Sequence, residues 1–192
     1  RKEIMDADNV YENVTSMKAS VIDMLVNQYI SENTNADEWD IEGLEKDLES
    51  NFGLKMTSED LQKAAEKEDL SLVQSTVEQN LEKLFAAKEE EIGSENLRSI
   101  EKDLMLQVLD AHWKEHLIMM EHLRQGIGLR SYAQKNPKQE YKKEAFSLFQ
   151  EMLDRIKQDF VTILAKIDLS PNDISAQPEK EPSSELEYHH KD

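Results

Sequence analysis

Residues 104–138 read LMLQVLDAHWKEHLIMMEHLRQGIGLRSYAQKNPK, and the spacing of the apolar positions in that stretch decides the fold. Met105, Leu109, Trp113, Met120, Leu123 and Ile127 recur at steps of three, four and seven, which places them on one stripe of a helix. Leu97, Ile100, Leu104 and Val108 form a second stripe beside it. An apolar surface that wide packs on more than one neighbour. From Leu97 to Ile127 such a helix spans about 46 Å at the standard helical rise. Gly126 and Gly128 are expected to end it, and Pro137 to delay the next helix. From Gln139 to Ile167 the apolar residues Ala145, Phe149, Met152, Ile156, Phe160, Ile163 and Ile167 approach a seven-residue repeat. Two long helices joined by the short loop Gly128 to Lys138 pack antiparallel.

Working toward the N-terminus, Val10, Val14, Met17, Val21, Leu25 and Tyr29 mark another amphipathic helix, with Asp8 or Asn9 as its cap. Trp39-Asp40-Ile41 opens a short helix over Glu42 to Asn51, and Gly53 closes it. Thr57-Ser58-Glu59-Asp60 resembles a further N-terminus, followed by a short helix from Leu61 to Asp69. One very long helix is expected from Ser71 to Ile127, with Gly93 its weak point. Beyond Leu169 the chain is polar and holds three of the four prolines. That segment cannot build a core and reads as a disordered linker. The fold class expected is all-α: a small helical domain, a long antiparallel two-helix hairpin, and a disordered tail.

Composition narrows the function. A third of the 192 residues are charged, and the mean hydropathy of −0.73 leaves much helix surface wet. No stretch approaches the roughly 20 apolar residues of a membrane span, and the first residues lack a signal-peptide pattern. The absence of Cys removes disulfide and thiol chemistry and fits a reducing compartment. These features point to a soluble, intracellular chain. The net charge of −18 is uneven. Residues 1–96 carry 24 acidic against 9 basic side chains, whereas Arg124, Arg130, Lys135, Lys138, Lys142 and Lys143 face only Glu140. The acidic half repels nucleic acid and anionic lipid, and the basic patch attracts either.

Catalytic signals are weak. His112-Trp113-Lys114-Glu115-His116 matches H-x-x-E-H, an inverted zinc-protease signature, but His122 is rotated away from the third-ligand position. The plainer reading is two helix-surface histidines beside an interface Trp. Neither G-x-x-x-x-G-K-[ST] nor G-x-G-x-x-G occurs, so no nucleotide site is expected in these residues. Tyr132, flanked by Arg130 and Lys135, offers a stiff apolar face with a hydroxyl, suited to contacting varied peptides. It could equally fold back on its own hairpin, and composition does not separate the two.

Leu109-Asp110, Trp113-Lys114-Glu115-His116-Leu117, Leu123-Arg124-Gln125-Gly126-Ile127, Leu129-Arg130, Tyr132-Ala133-Gln134-Lys135 and Pro137 to Lys142 together closely resemble the SecA family, the motor subunits that drive preproteins through the bacterial SecY channel. Phe146, Phe149, Met152 and Leu153 extend the match, as do Trp39-Asp40-Ile41, Gly43-Leu44, Lys88-Glu89 and Gly93 upstream. The resemblance implies that residues 1–7 end a long scaffold helix, 8–96 form a helical wing domain, 97–168 form a helical scaffold with a two-helix finger, and 169–192 are a linker. It further implies that Leu129, Arg130, Tyr132, Ala133, Gln134 and Lys135 form the finger tip that meets preprotein and channel. Met105, Leu109, Trp113, Met120 and Leu123 would face the motor domains.

The implied partners are the SecY channel complex, unfolded preprotein, the motor domains and, peripherally, an anionic membrane surface, with no nucleic acid. The implied location is the cytoplasm and the cytoplasmic face of the inner membrane. No cofactor is expected here; ATP and Mg would belong to motor domains outside these residues, so the chain is expected to be a non-catalytic fragment. Ser131 stands where the family commonly has Gly, and Asn136 where Asp is usual. The alternative is an autonomous helical module whose basic tip binds nucleic acid or anionic membrane, with affinity that falls steeply in salt. A zinc hydrolase centred on His112 and His116 comes third.

Overall fold

The computed structural model describes residues 1–6, 10–31, 35–56, 58–67, 69–130 and 136–167, and among these the chain is all-helical. In chain order the helices are α1 (Lys2–Asp6), α2 (Tyr11–Tyr29), α3 (Ile41–Phe52), α4 (Ser58–Ala65), α5 (Leu70–Ile92), α6 (Ser94–Arg130) and α7 (Pro137–Lys166), with a 3₁₀ turn at Ala36–Glu38.

Local chemistry accounts for most boundaries. In α2 the expected spacing buries Val14, Val21 and Leu25 together with Ile22 and Val26. Its expected caps, Asp8 and Asn9, lie outside the described residues. Helix α3 starts where the Asp40 carboxylate accepts a hydrogen bond from Gly43 N at 2.8 Å. It stops at Gly53, whose φ of 66° is a conformation that only glycine adopts without strain. The second short helix occupies Ser58–Ala65 rather than Leu61 to Asp69. Asp69 belongs to the next element: its carboxylate accepts from Ser71 N at 2.9 Å and caps α5.

The expected continuous helix from Ser71 is divided at Gly93, with φ 83° and ψ 150°. Helix α6 then runs past Gly126 to Arg130, so Gly126 does not end it. A glycine inside a helix costs only about 1 kcal/mol, too little to stop a helix of this length by itself. Helix α7 starts at Pro137, two residues before Gln139, because the first helical position needs no N–H and suits proline. Asn136 caps it by accepting from Lys138 N at 3.2 Å.

A single apolar core runs from Val10 through Leu44, Leu48, Leu61, Val73 and Leu81 to Leu97, Met105, Phe160 and Leu164. Helix α7 packs on α6, α2 and α3, and Lys157 in its C-terminal half reaches Ser20 of α2. That double contact explains why its buried face there is broader than a seven-residue repeat: Val161, Leu164 and Ala165 are buried beside Phe160, while the expected Ile163 is 41% exposed. Among the described residues no helix is long and apolar enough to cross a membrane. The expected linker, residues 169–192, lies outside the described residues.

Candidate functional site

The hairpin of α6 and α7 has a rooted half and a projecting half. In the rooted half, Leu97, Met105 and Val108 of α6 and Ile156, Phe160 and Leu164 of α7 join the common core. In the projecting half the seam between the helices buries only a few side chains, among them His116, Leu123 and Met152. Five large apolar groups there face outward: Trp113 is 45% exposed and Phe146 66%, and Leu117, Ile118 and Phe149 are exposed as well. Beside Leu123 a surface groove of about 500 Å³ opens between the helices, lined also by Met119, Gly126, Ser147 and Leu148.

The hairpin is tied across its middle. His112 Nε2 lies 2.7 Å from Asp159 Oδ2, joining α6 to α7. His116, one turn on, is buried against Trp113 and Phe149, with ring centroids 5.5 Å and 6.0 Å away. Its Nδ1 is buried without a hydrogen-bond partner. The two histidines of the H-x-x-E-H stretch are therefore held by different neighbours. Among the described residues no group of three or more His, Asp or Glu is placed to hold a metal ion. At the N-terminus Arg1 reaches Asp110 at 2.9 Å, laying α1 along α6. The Arg1 guanidinium holds the Asp110 carboxyl below its ordinary range.

The residues singled out in the sequence fall into three groups. Met105 is buried in the core and Leu123 in the seam. Leu109 and Met120 are half-buried and Trp113 is exposed, so the stripe is uncovered at its middle and covered again at Leu123. Leu129, Arg130, Tyr132, Ala133, Gln134 and Lys135 have side chains outside the described residues; only the α6 backbone reaches Leu129 and Arg130. Of the basic patch, Lys138, Lys142 and Lys143 are exposed, while Arg124 is turned toward Glu121 at 2.8 Å.

One cluster was missed in the sequence. Glu101 is 0% exposed between Leu97 and Met105 on the buried face of α6. Arg98 Nη1 lies 3.0 Å from its Oε2, an ion pair by distance, although among the described residues neither carboxyl oxygen is aligned for a hydrogen bond. Burial pushes the Glu101 carboxyl above its ordinary value despite Arg98 and Lys18 nearby. Burial likewise lowers the Lys18 amine, whose Nζ sits 3.7 Å from the Phe85 ring centroid. The signal was present: Leu97, Glu101, Met105 and Val108 share one helical face, and the acid interrupts an apolar row.

The family described as the SecA Wing and Scaffold domain matches residues 1–168. A protein translocase subunit SecA from Stenotrophomonas maltophilia is 46% identical over 167 residues, 87% of this chain and 18% of that protein. The subunit of the same name from Nitrosococcus oceani is 44% identical over 192 residues, 99% of this chain and 21% of that protein. The one from Xylella fastidiosa is 42% identical over 182 residues, 94% of this chain and 20% of that protein. The chain thus spans about a fifth of the length of the curated relatives it matches.

Proposed function

This chain belongs to the SecA wing and scaffold family, and from that premise we propose that it carries motion from ATP-hydrolysing motor domains to a preprotein in the SecY channel. On this reading residues 8–96 are the wing, residues 97–168 the scaffold with its two-helix finger, residues 1–7 the end of a longer scaffold helix, and residues 169–192 a linker. ATP and Mg are bound and used by domains outside these residues. The partners are the motor domains, the channel, the unfolded preprotein and, peripherally, the anionic cytoplasmic face of the inner membrane.

The observation that carries the reading is the outward-facing apolar set on the projecting half of the hairpin, Trp113, Leu117, Ile118, Phe146 and Phe149. Exposed aromatic and aliphatic groups concentrated on one projection mark a surface meant for another protein. Trp113, with Leu109 and Met120 beside it, meets the motor, and Met105 and Leu123 support that face from within. Force arriving through α6 and α7 passes between a rooted end fixed in the core and a tip that grips or gates the polypeptide. Two helices held by Leu123, Met152 and the His112–Asp159 tie resist bending as one alone would not.

The test is Tyr132→Ala in a full-length protein carrying this chain. Preprotein transport is expected to fall while nucleotide binding is retained. Normal transport by that variant would remove the tip tyrosine from the mechanism.

A further inference from the structure

Helices α5 and α6 meet at one residue, Gly93, in a backbone conformation that L side chains rarely adopt. The joint is bridged from both sides. Asn96 Nδ2 donates to Ile92 O at 2.9 Å, closing the end of α5 from the start of α6. Arg98 then spans the break: its Nη2 lies 3.4 Å from Glu89 Oε2 on α5, and its Nη1 lies 3.0 Å from Glu101 Oε2 on α6. Helix α2 contributes Lys18, over the Phe85 ring, and Tyr11, whose ring centroid is 5.0 Å from the Arg98 guanidinium. Beside the cluster is a cavity of about 270 Å³ lined by Lys18, Arg98, Tyr11, Glu82, Phe85 and Glu89, among others.

An apolar side chain at position 101, between Leu97 and Met105, would be buried at a gain. A buried carboxylate there is an unfavourable choice for stability alone, and buried ionic groups are best attested as devices that fix one geometry among several. Close-packed junctions have no room for a second arrangement; this one has a cavity next to its two cations.

We propose that Arg98, Glu89 and Glu101 form a latch that fixes the angle between α5 and α6 at Gly93, and that the cavity receives Arg98 when the latch opens. Lys18 is the remaining counter-ion of Glu101 in the open form. Helix α7 touches α2 and α3 as well as α6, so opening slides the wing helices along α7. Among the described residues two polar ties cross that path, Lys157 Nζ to Ser20 Oγ at 3.4 Å and Lys88 Nζ of α5 to Ile167 O at 2.6 Å, and opening exchanges both for water.

The chain has no Cys, so Lys83→Cys on α5 and Gln107→Cys on α6, both exposed, accept two spin labels without interference. Pulsed dipolar spectroscopy on the otherwise unaltered chain is expected to give one narrow distance. Glu101→Gln, which keeps shape and removes charge, is expected to add a second distance or widen the distribution roughly twofold, as a minor packing becomes populated. Glu89→Gln removes only the arm across the break, at a half-buried position whose loss leaves the core untouched, and is expected to do the same. A single narrow distance retained in both labelled variants would overturn the proposal, because packing alone would then fix the angle.

Discussion

At position 101 the two demands on a buried side chain are opposed. Glu101 lies between Leu97 and Met105 with no exposed surface, and its carboxyl is pushed above the ordinary value of 4.5 by desolvation first, with Arg98 and Lys18 opposing. A raised carboxyl means that the folded chain holds its proton more tightly than the unfolded chain. Stability therefore falls as pH rises from the unfolded value through the folded one. Glu101→Gln removes that loss. Relative to the parent, the variant is expected to gain stability as pH rises above the ordinary carboxylate range, because it carries no carboxyl to deprotonate at that position. The difference should vanish below the ordinary carboxylate range, and melting curves at stepped pH values measure it. A stability difference between variant and parent that stays constant with pH would contradict the assignment. In the sequence Glu101 was not singled out, because a net charge of −18 makes any single Glu look like surface.

For single elements, legibility depended on whether the signal was local. The Asp40 start and Gly53 stop of α3 were readable because both are set by bonds within one turn. Asp69 was misassigned because an acid between two helices suits the end of one or the cap of the next, and only the bonds to Ser71 N and Leu72 N decide. Asp69→Ala is expected to cost about 1 kcal/mol in chemical denaturation, which an uncapped helix start would not show. The end of α6 was misplaced for another reason: a glycine lowers helix propensity by only about 1 kcal/mol, which marks a weak point and not a stop. Gly126 lies inside the helix without a positive φ, and a Cβ there would meet nothing within 4 Å. Gly126→Ala is therefore expected to stabilise by about 0.5–1 kcal/mol. Destabilisation by a similar amount would mean that the helix ends at Gly126 after all.

Across the whole molecule the apolar groups divide into those that hold the fold and those that await a partner. Phe160 is fully buried where α7 packs on its neighbours, and Phe160→Ala is expected to cost about 3–5 kcal/mol. Trp113→Ala, on the projecting half, is expected to cost the chain clearly less than Phe160→Ala, because Trp113 is already 45% exposed. In a full-length protein the same Trp substitution should alter the ATPase response to preprotein. Equal losses of stability would place both residues in one core and erase the division. The all-helical class and the hairpin were legible because long amphipathic periodicity is a strong signal. Which side of that periodicity stays uncovered was not, since a stripe of Trp113, Met120 and Leu123 looks alike whether it faces another helix of this chain or another protein.

Contact between the hairpin tip and a moving polypeptide is read out by placing a photo-reactive amino acid at position 132 in a full-length protein carrying this chain, with a preprotein stalled in transit. A crosslink from that position to the preprotein is predicted. Crosslinks confined to the protein's own helices would contradict such contact and make Tyr132 a residue of the hairpin's own packing.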